Sequence, residues 1–147
     1  MKDVLILLFE RDLNKLISEL EAYRLEENIW KVSGDISNSA GTLVLHLVGN
    51  LKHFIGAVIG NTGYIRNREA EFSLKNLPKA NLVKQILETI QVINVTVSEF
   101  EEDNFSSNYP LEVFGKTMTY EYFMIHLQSH LNYHLGQVNY HRRLLDN

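Results

Sequence analysis

The chain has 147 residues, of which 45% are hydrophobic and 22% are charged, and its formal net charge at pH 7 is −4. This length is typical of one domain covering residues 1–147, and a folded chain of this size buries about two-thirds of its unfolded surface. A mildly acidic chain without a cluster of basic residues lacks the positive surface of a nucleic-acid-binding protein. Cysteine is absent, which excludes disulfides and thiolate metal sites.

The first apolar run, VLILLF at residues 4–9, is too short to cross a bilayer and is followed at once by charged residues. It also lacks the small-residue cleavage site of a secretory signal. We therefore expect a soluble, cytoplasmic protein with no membrane segment.

Apolar residues recur every three or four positions in four long segments, and this period predicts four amphipathic helices. The first covers residues 2–24. The second covers residues 37–60, and either Ser37 or Asn38 is suited to be its N-cap. The third covers residues 80–102, after a connection of nearly twenty residues.

The second predicted helix contains Gly49 and Gly56, which cost helix stability. We expect another element to pack closely at both positions. Residues 111–120, LEVFGKTMTY, are typical of a short extended or hairpin element that turns at Gly115-Lys116. The fourth helix then begins near Tyr120 and continues to the chain end.

This inventory predicts an all-α fold, a four-helix bundle with a short extended element before helix 4. The short connection between the first two helices favours their packing as antiparallel neighbours. The long connection between the second and third permits a crossover, so the order of the bundle need not be simple up-down-up-down.

A stripe of histidines lies along the fourth helix, within HLQSHLNYHLGQVNYH. Their spacings of four, four and seven residues return to one side of a helix. The stripe consists of His126, His130, His134 and His141. The imidazoles of His130 and His134, one turn apart, can both reach one metal ion. His46 in the second helix is the best candidate for a third ligand, with His53 as a weaker substitute.

Three imidazole nitrogens suit zinc, nickel, iron or manganese and leave a coordination position open, as in catalytic metal sites. Two alternatives remain. The histidines can be hydrogen-bonded core residues that hold no metal, or His126 can close the fourth position of a saturated site. Leu131 stands where the His-Glu-x-x-His motif of metalloproteases has its glutamate, so peptide hydrolysis is not expected.

Two motifs carry a resemblance to a known family, LVLHLVGNL at 43–51 and HLNYHLGQ at 130–137. They resemble the DinB/YfiT-like superfamily of metal-dependent enzymes. The resemblance implies an up-down-down-up four-helix bundle with a long crossover between helices 2 and 3, and a homodimer. It also implies a divalent transition metal held by His46, His130 and His134.

Some members of that superfamily are transferases or isomerases that use bacillithiol or mycothiol. The resemblance thus implies a thiol-dependent S-transferase acting on a small-molecule substrate, with a low-molecular-weight thiol as cofactor. A non-enzymatic metal-binding or stress-response protein is the alternative. A metal-dependent hydrolase is a second alternative, although it needs a general base and the sequence offers no obvious inward carboxylate beside the three histidines.

Further residues are expected around the metal. Gln137 lies three residues beyond His134 on the same face, where it can orient that imidazole or serve only in packing. Asn50 and His126 are expected to line the pocket. These three residues are predicted to surround the ligands rather than to bind the ion.

RNREAEF at 66–72 resembles an arginine-and-acid motif found in a branch of the family. Arg66 or Arg68 can clamp a carboxylate of a thiol cofactor or substrate in this setting. The interpretation we favour is a salt bridge with Glu69 or Glu71 that orders the loop.

Overall fold

The computed structural model describes residues 1–147, and its regular structure is entirely helical, which confirms the all-α class. The α-helices in chain order are α1 Lys2–Glu21, α2 Ala40–Leu51, α3 Arg68–Ser73, α4 Lys79–Glu99 and α5 Tyr120–Leu145. A π-helical segment, Lys52–Ala57, continues α2, and two 3-10 segments cover Glu26–Trp30 and Glu102–Ser106. None of these helices combines the length and the apolar character that spanning a bilayer requires.

Short-range hydrogen bonds explain where α2 and α5 begin. The Ser39 side chain accepts a hydrogen bond from the Thr42 backbone N–H, so the N-cap is Ser39 rather than Ser37 or Asn38. Thr119 caps α5 in the same way by accepting from Tyr122 N–H. Each cap satisfies one of the backbone donors that a helix start leaves free.

Two connections differ from their predicted form. The connection between the second and third predicted helices contains α3, whose first turn is capped by the Asn67 side chain. The predicted hairpin at 111–120 is wrong: no strand ladder forms, and only an isolated bridge joins Asn108 to Thr119. Gly115 does form a turn, with a φ of +70° that favours glycine. Without a paired strand on either side, the segment stays irregular.

The long helices pack in pairs, with α1 against α4 and α5, and α2 against α3, α4 and α5. The two successive helices α1 and α2 are therefore not principal partners, and the expectation that they pack as antiparallel neighbours is wrong. The 3-10 segment between them contacts α2 and α5 and carries the chain away from α1.

Polar contacts at both ends of α1 show that it runs opposite to α4. Lys2 Nζ donates to the carbonyl oxygens of Ser98 and Phe100, at the end of α4. Lys79, at the start of α4, forms a 3.3 Å salt bridge with Glu21 at the end of α1.

Two buried carboxylates of α1 fix its alignment with α5. Asp12 Oδ2 accepts hydrogen bonds from Gln128 and Asn132. About two turns later along α1, Glu19 accepts from Asn139 and Arg142, which likewise follow Gln128 and Asn132 along α5. Both helices therefore advance in the same direction, and the side of α5 opposite to these contacts is turned toward α2.

Close glycine contacts bring α2 and its π-helical continuation against their neighbours, as the sequence predicts. A Cβ on Gly56 would lie 2.8 Å from Val92 Cγ1 of α4, and one on Gly49 would lie 2.6 Å from Glu71 Cδ of α3. Lys52 also forms a salt bridge with Glu88 of α4. Lys52 precedes Gly56 just as Glu88 precedes Val92, so α2 with its continuation runs parallel to α4.

His141, the last member of the histidine stripe, is a buried core residue of α5. The Tyr23 hydroxyl donates to His141 Nδ1 at 2.6 Å, and His141 Nε2 donates to the Lys31 carbonyl at 2.8 Å. This arrangement uses the neutral ring, and burial lowers the pKa of His141 from its ordinary value. The residue joins the end of α1 and the following loop to α5.

We expect His141 to make the protein less stable as the pH falls. In the unfolded chain it takes up a proton near pH 6.5, whereas the folded chain resists protonation until a lower pH. Its contribution is therefore complete above about pH 6.5 and decreases on acidification, by up to about 1.4 kcal/mol per pH unit. Urea unfolding at several pH values from 7.5 to 5 gives the free energy of unfolding at each pH. This free energy should fall less steeply with decreasing pH in His141→Gln than in the wild type. Equal slopes would contradict this role.

Candidate metal centre

Three histidines from two helices meet between α2 and α5. His46 Nε2 lies 3.3 Å from His130 Nε2, and His134 Nε2 lies 3.1 Å from the same atom. One ring nitrogen from each residue lies within 4.8 Å of those of the other two. The convergence arises because α2 packs on α5 and because His130 and His134 are one helical turn apart.

The outer ring nitrogens of two of these histidines are engaged by acceptors. His46 Nδ1 donates to Glu71 Oε1 at 3.1 Å, and His134 Nδ1 donates to Gln137 Oε1 at 2.6 Å. In a neutral imidazole with a proton on Nδ1, Nε2 carries only a lone pair. The Nε2 atoms of His46 and His134 therefore both direct lone pairs toward His130 Nε2.

Lone pairs that face one another repel unless a proton or a cation lies among them. Nitrogen ligands about 2.0–2.1 Å from a tetrahedral zinc ion are about 3.3 Å apart, close to the observed 3.1 and 3.3 Å. The donor set and its spacing therefore fit a transition metal, and His46, His130 and His134 could hold one.

The surroundings keep two of these rings neutral, the form that binds metals. Burial is the largest cause that lowers the pKa of His130, to about 4, and the neighbouring His134 and His46 add to it. Burial also lowers the pKa of His46, although Glu71 acts in the opposite direction. At neutral pH the site therefore does not need to release protons from these two rings before it binds an ion.

A buried ion pair supports His46 from outside. Arg66 donates from Nε and Nη2 to the two carboxylate oxygens of Glu71, both at 2.8 Å. The side chains of Arg66 and Glu71 are 13% and 6% exposed. A carboxylate that accepts from a metal-binding histidine fixes the orientation and the proton position of that ring. Arg66, Glu71 and His46 thus form one continuous chain of hydrogen bonds that leads to the three nitrogens.

This ion pair confirms the favoured interpretation of Arg66, and it identifies a carboxylate beside the triad that was not expected. Arg66 is paired with Glu71, the favoured interpretation, so it is not free to clamp a ligand carboxylate through Nε and Nη2. Arg68 is exposed at the start of α3, with its guanidinium 5.1 Å from the centre of the Phe72 ring. Glu71 itself is the inward carboxylate that the sequence analysis did not find, although its place in the RNREAEF motif was a signal.

The other predicted pocket residues take different positions. His126 does not belong to the converging group, and its ring lies between Phe123 and His130 at centroid distances of 6.0 and 6.3 Å. Buried side-chain atoms without a hydrogen-bond partner occur on Asn50, as Oδ1, and on His53, as Nδ1. His53 likewise lies outside the converging group.

A cavity of about 470 Å³ borders the histidines on the side of His134 and Gln137. Its walls come from the loop before α2 and from the second half of α5. The lining residues are Asp35, Ile36, Ser37, Asn38, Leu43, Tyr133, His134, Gln137, Tyr140, His141 and Leu144. The cavity is large enough for a small molecule that reaches the triad.

Replacing Gly49 with alanine is expected to weaken metal binding, because the new Cβ would displace the carboxylate of Glu71. Losing a partner that orients a metal-binding histidine typically costs 10–100-fold in affinity, and we expect a loss of about ten-fold or more. Competition with a chromophoric chelator would measure the metal affinity of the variant and of the wild type.

Gly136→Ala is the matched control, because a Cβ there meets no atom within 4 Å. That change should leave metal affinity unaltered and stabilise α5 by about 0.5–1 kcal/mol. Equal metal affinities of the Gly49→Ala variant and the wild type would contradict the role assigned to Glu71.

Comparison with known sequences identifies the family to which the chain belongs. No curated protein matches it. The model of one protein family matches residues 9–147, which is nearly the whole chain and includes the three histidines, Glu71 and the cavity. The chain therefore belongs to the family described as "Protein of unknown function (DUF1572)".

Proposed function

We propose that this protein is a metal-dependent enzyme in which His46, His130 and His134 hold a divalent transition metal and which transfers a group to or from a low-molecular-weight thiol. The observation that carries the proposal is that the Nε2 atoms of His46 and His134 lie 3.3 and 3.1 Å from His130 Nε2, both on rings whose protons are fixed on the opposite nitrogen. Such an arrangement is costly to maintain unless a proton or a cation lies among the three nitrogens, and a bound metal ion satisfies all three lone pairs at once.

The proposal includes membership of the DinB/YfiT-like superfamily with its up-down-down-up bundle. The four long helices α1, α2, α4 and α5 supply the required elements, and the contacts described above support these directions. In that arrangement α2 and α4 run in the same direction, so a long crossover containing α3 must join them.

A bound divalent metal would supply Lewis acidity, which lowers the pKa of a thiol ligand and raises its thiolate fraction at neutral pH. The residues of the chain bind the ion and orient its ligands. Three histidines would hold the ion, Glu71 and Gln137 orient two of their rings, and the cavity beside His134 would receive the organic part of the ligand. In the transfer, a bond forms between the thiolate sulfur and an electrophilic carbon while the leaving group departs with its electron pair.

Hydrolysis by activated water is less well supported. A general base must be free to take a proton from the water. The carboxylate in contact with the triad is Glu71, and both of its oxygens already accept from Arg66 and His46. We therefore favour a reaction whose nucleophile arrives as a thiol.

The homodimer stays a prediction. Val4 and Leu7 on α1 are 57% and 65% exposed, so the apolar run VLILLF is buried on one side only. We expect this face to contribute to self-association, and sedimentation of the wild type beside Leu7→Lys would measure it.

The experiment that tests the function uses cobalt(II) as a spectroscopic substitute for the metal. Bacillithiol is titrated into the cobalt-loaded protein, and we expect a new sulfur-to-cobalt charge-transfer band. Transfer of the thiol to an aryl chloride is then compared between the loaded and metal-free protein. Cobalt binding without the band would refute the transferase and favour a non-enzymatic metal-binding protein. Failure to bind cobalt would refute the metal site itself.

A further inference from the structure

Buried polar atoms without a hydrogen-bond partner are concentrated beside the candidate metal centre. Four side-chain atoms of the chain are of this kind, and three of them belong to Asn50, His53 and His130. The fourth is Asn94 Oδ1 on α4, where the nitrogen of the same amide donates to Glu10 of α1. Buried polar groups without a partner are costly and therefore uncommon in native proteins. Three of them on α2, its π-helical continuation and α5 indicate a place where a ligand supplies the missing partners.

Two ring contacts show which parts of α2 and α5 face each other. The His46 ring lies 5.1 Å from the His130 ring, and the Phe54 ring lies 5.2 Å from the Phe123 ring. The later residue of the first pair of elements thus meets the earlier residue of α5, as expected for helices that run in opposite directions. The residues between His46 and Phe54 therefore face the part of α5 between Phe123 and His130.

Asn50 and His53 belong to this facing part, next to the three converging histidines. Asn50 follows His46 by four residues, so the two side chains lie on the same side of α2 with their Cβ atoms about 5–6 Å apart. Only 8% of Asn50 is exposed, and its Oδ1 has no partner. On α5 the ring of His126 lies 6.3 Å from that of His130. A ligand bound to the metal centre and extending along α2 would therefore meet Asn50 first.

The unpartnered atoms suit an uncharged ligand group that both donates and accepts hydrogen bonds. Asn50 Oδ1 is an acceptor and needs a donor. Burial lowers the pKa of His53 and the charge of Arg66 adds to the effect, so the ring is neutral at neutral pH and its Nδ1 either donates or accepts. Arg66 itself is engaged by Glu71 through Nε and Nη2. A hydroxyl group can satisfy both Asn50 Oδ1 and His53 Nδ1.

We propose that Asn50 and His53 form a hydroxyl-binding subsite beside the metal centre, and that the thiol bound there carries a hydroxyl group about two or three carbons from its sulfur. This length matches the single helical turn between His46 and Asn50. The inference rests on the proposed function, because it takes the metal as the partner of the sulfur. It adds the ligand class, a hydroxythiol, to the expectation of a low-molecular-weight thiol.

The test compares thiols of equal size that differ in one hydroxyl group. In 2-mercaptoethanol and 1-propanethiol a hydroxyl replaces a methyl group, and 3-mercapto-1-propanol and 1-butanethiol form a second pair of this kind. Each thiol is titrated into the cobalt-loaded protein, and the sulfur-to-cobalt band gives its dissociation constant. In at least one pair we expect the alcohol to bind about five- to ten-fold more tightly, because a methyl group leaves the buried polar atoms without partners.

The Asn50→Leu variant tests the subsite through two measurements. In the cobalt-loaded variant the preference should reverse, so that the alkanethiol binds more tightly than the alcohol. In the metal-free variant the midpoint of urea unfolding should move to a higher urea concentration, because leucine has a similar size and buries no unpartnered amide. Asn94→Leu is the matched control. It removes the fourth unpartnered oxygen, where α4 meets α1, and should keep the preference for the alcohol.

The outcomes separate the subsite from the proposed function. Equal binding within both pairs, or a preference for the alcohol that persists in Asn50→Leu, would overturn the subsite while the cobalt band leaves the metal centre standing. A lower urea midpoint of Asn50→Leu would also overturn it, because the amide would then serve the fold rather than a ligand. Cobalt uptake without the band would overturn the thiol ligand and the subsite with it. Wild-type protein that takes up no cobalt would overturn the metal centre as well.

Discussion

The His130→Ala variant is expected to lose its transition metal. Its Nε2 is the atom from which both other nitrogens are 3.1–3.3 Å away, so the change removes the ligand at the centre of the group. We expect affinity to fall by more than 100-fold, beyond the 10–100-fold cost of losing a residue that only orients a ligand. Elemental mass spectrometry of protein purified without a histidine tag would show about one metal ion per wild-type chain and almost none in the variant.

His126→Ala provides the matched control on the same helix. It removes the same type of side chain one turn earlier, from a ring that lies 4.8 Å from that of Phe114 by centroid and whose nitrogens are outside the converging group. Metal content should stay near that of the wild type. If His126→Ala loses the metal as completely as His130→Ala, then His126 is a ligand and the site is saturated, which would contradict the open position.

The Glu71→Ala variant should show the second large effect, on both stability and metal binding. It leaves the largely buried guanidinium of Arg66 without its partner, and breaking a buried ion pair from one side typically costs about 3–5 kcal/mol. It also releases His46 Nδ1, so metal affinity should fall about 10–100-fold. Urea unfolding of the metal-free protein and chelator competition measure the two effects separately.

Two further variants make this result specific. Glu69→Ala removes an exposed glutamate from the same short helix and should change neither quantity measurably. Glu71→Gln keeps the size of the side chain and one acceptor, so it should restore part of the metal affinity. A Glu71→Ala variant with wild-type metal affinity but reduced stability would show that the ion pair only orders the loop.

The long helices and the histidine pair were accessible to sequence analysis because both depend on local periodicity. The 3.6-residue period places His130 and His134 one turn apart regardless of what surrounds them. His46 could be selected because it lies among apolar residues of a second helix. Gly49 predicted a close contact, although the sequence could not name Glu71 as the side chain that makes it.

The remaining features depend on contacts between distant segments, which periodicity does not encode. Glu71 lies 25 residues from His46, and its orientation depends on α3, a helix of 6 residues too short to give a clear pattern. The hairpin prediction failed because turn residues at Gly115 do not by themselves bring two strands together. Asp35 could not be identified as a cavity residue because its loop and the second half of α5 come together only in the folded chain.

In the proposed site the three histidines bind one ion and leave one coordination position open. Anomalous diffraction from crystals grown with zinc, recorded on both sides of the zinc absorption edge, would locate the ion and its ligands. We predict one strong peak about 2.0–2.1 Å from the Nε2 atoms of His46, His130 and His134, with a solvent molecule as the fourth ligand. No peak at the triad would show that the histidines do not bind zinc, and a peak at which His126 or His53 supplies the fourth ligand would show that no position is open.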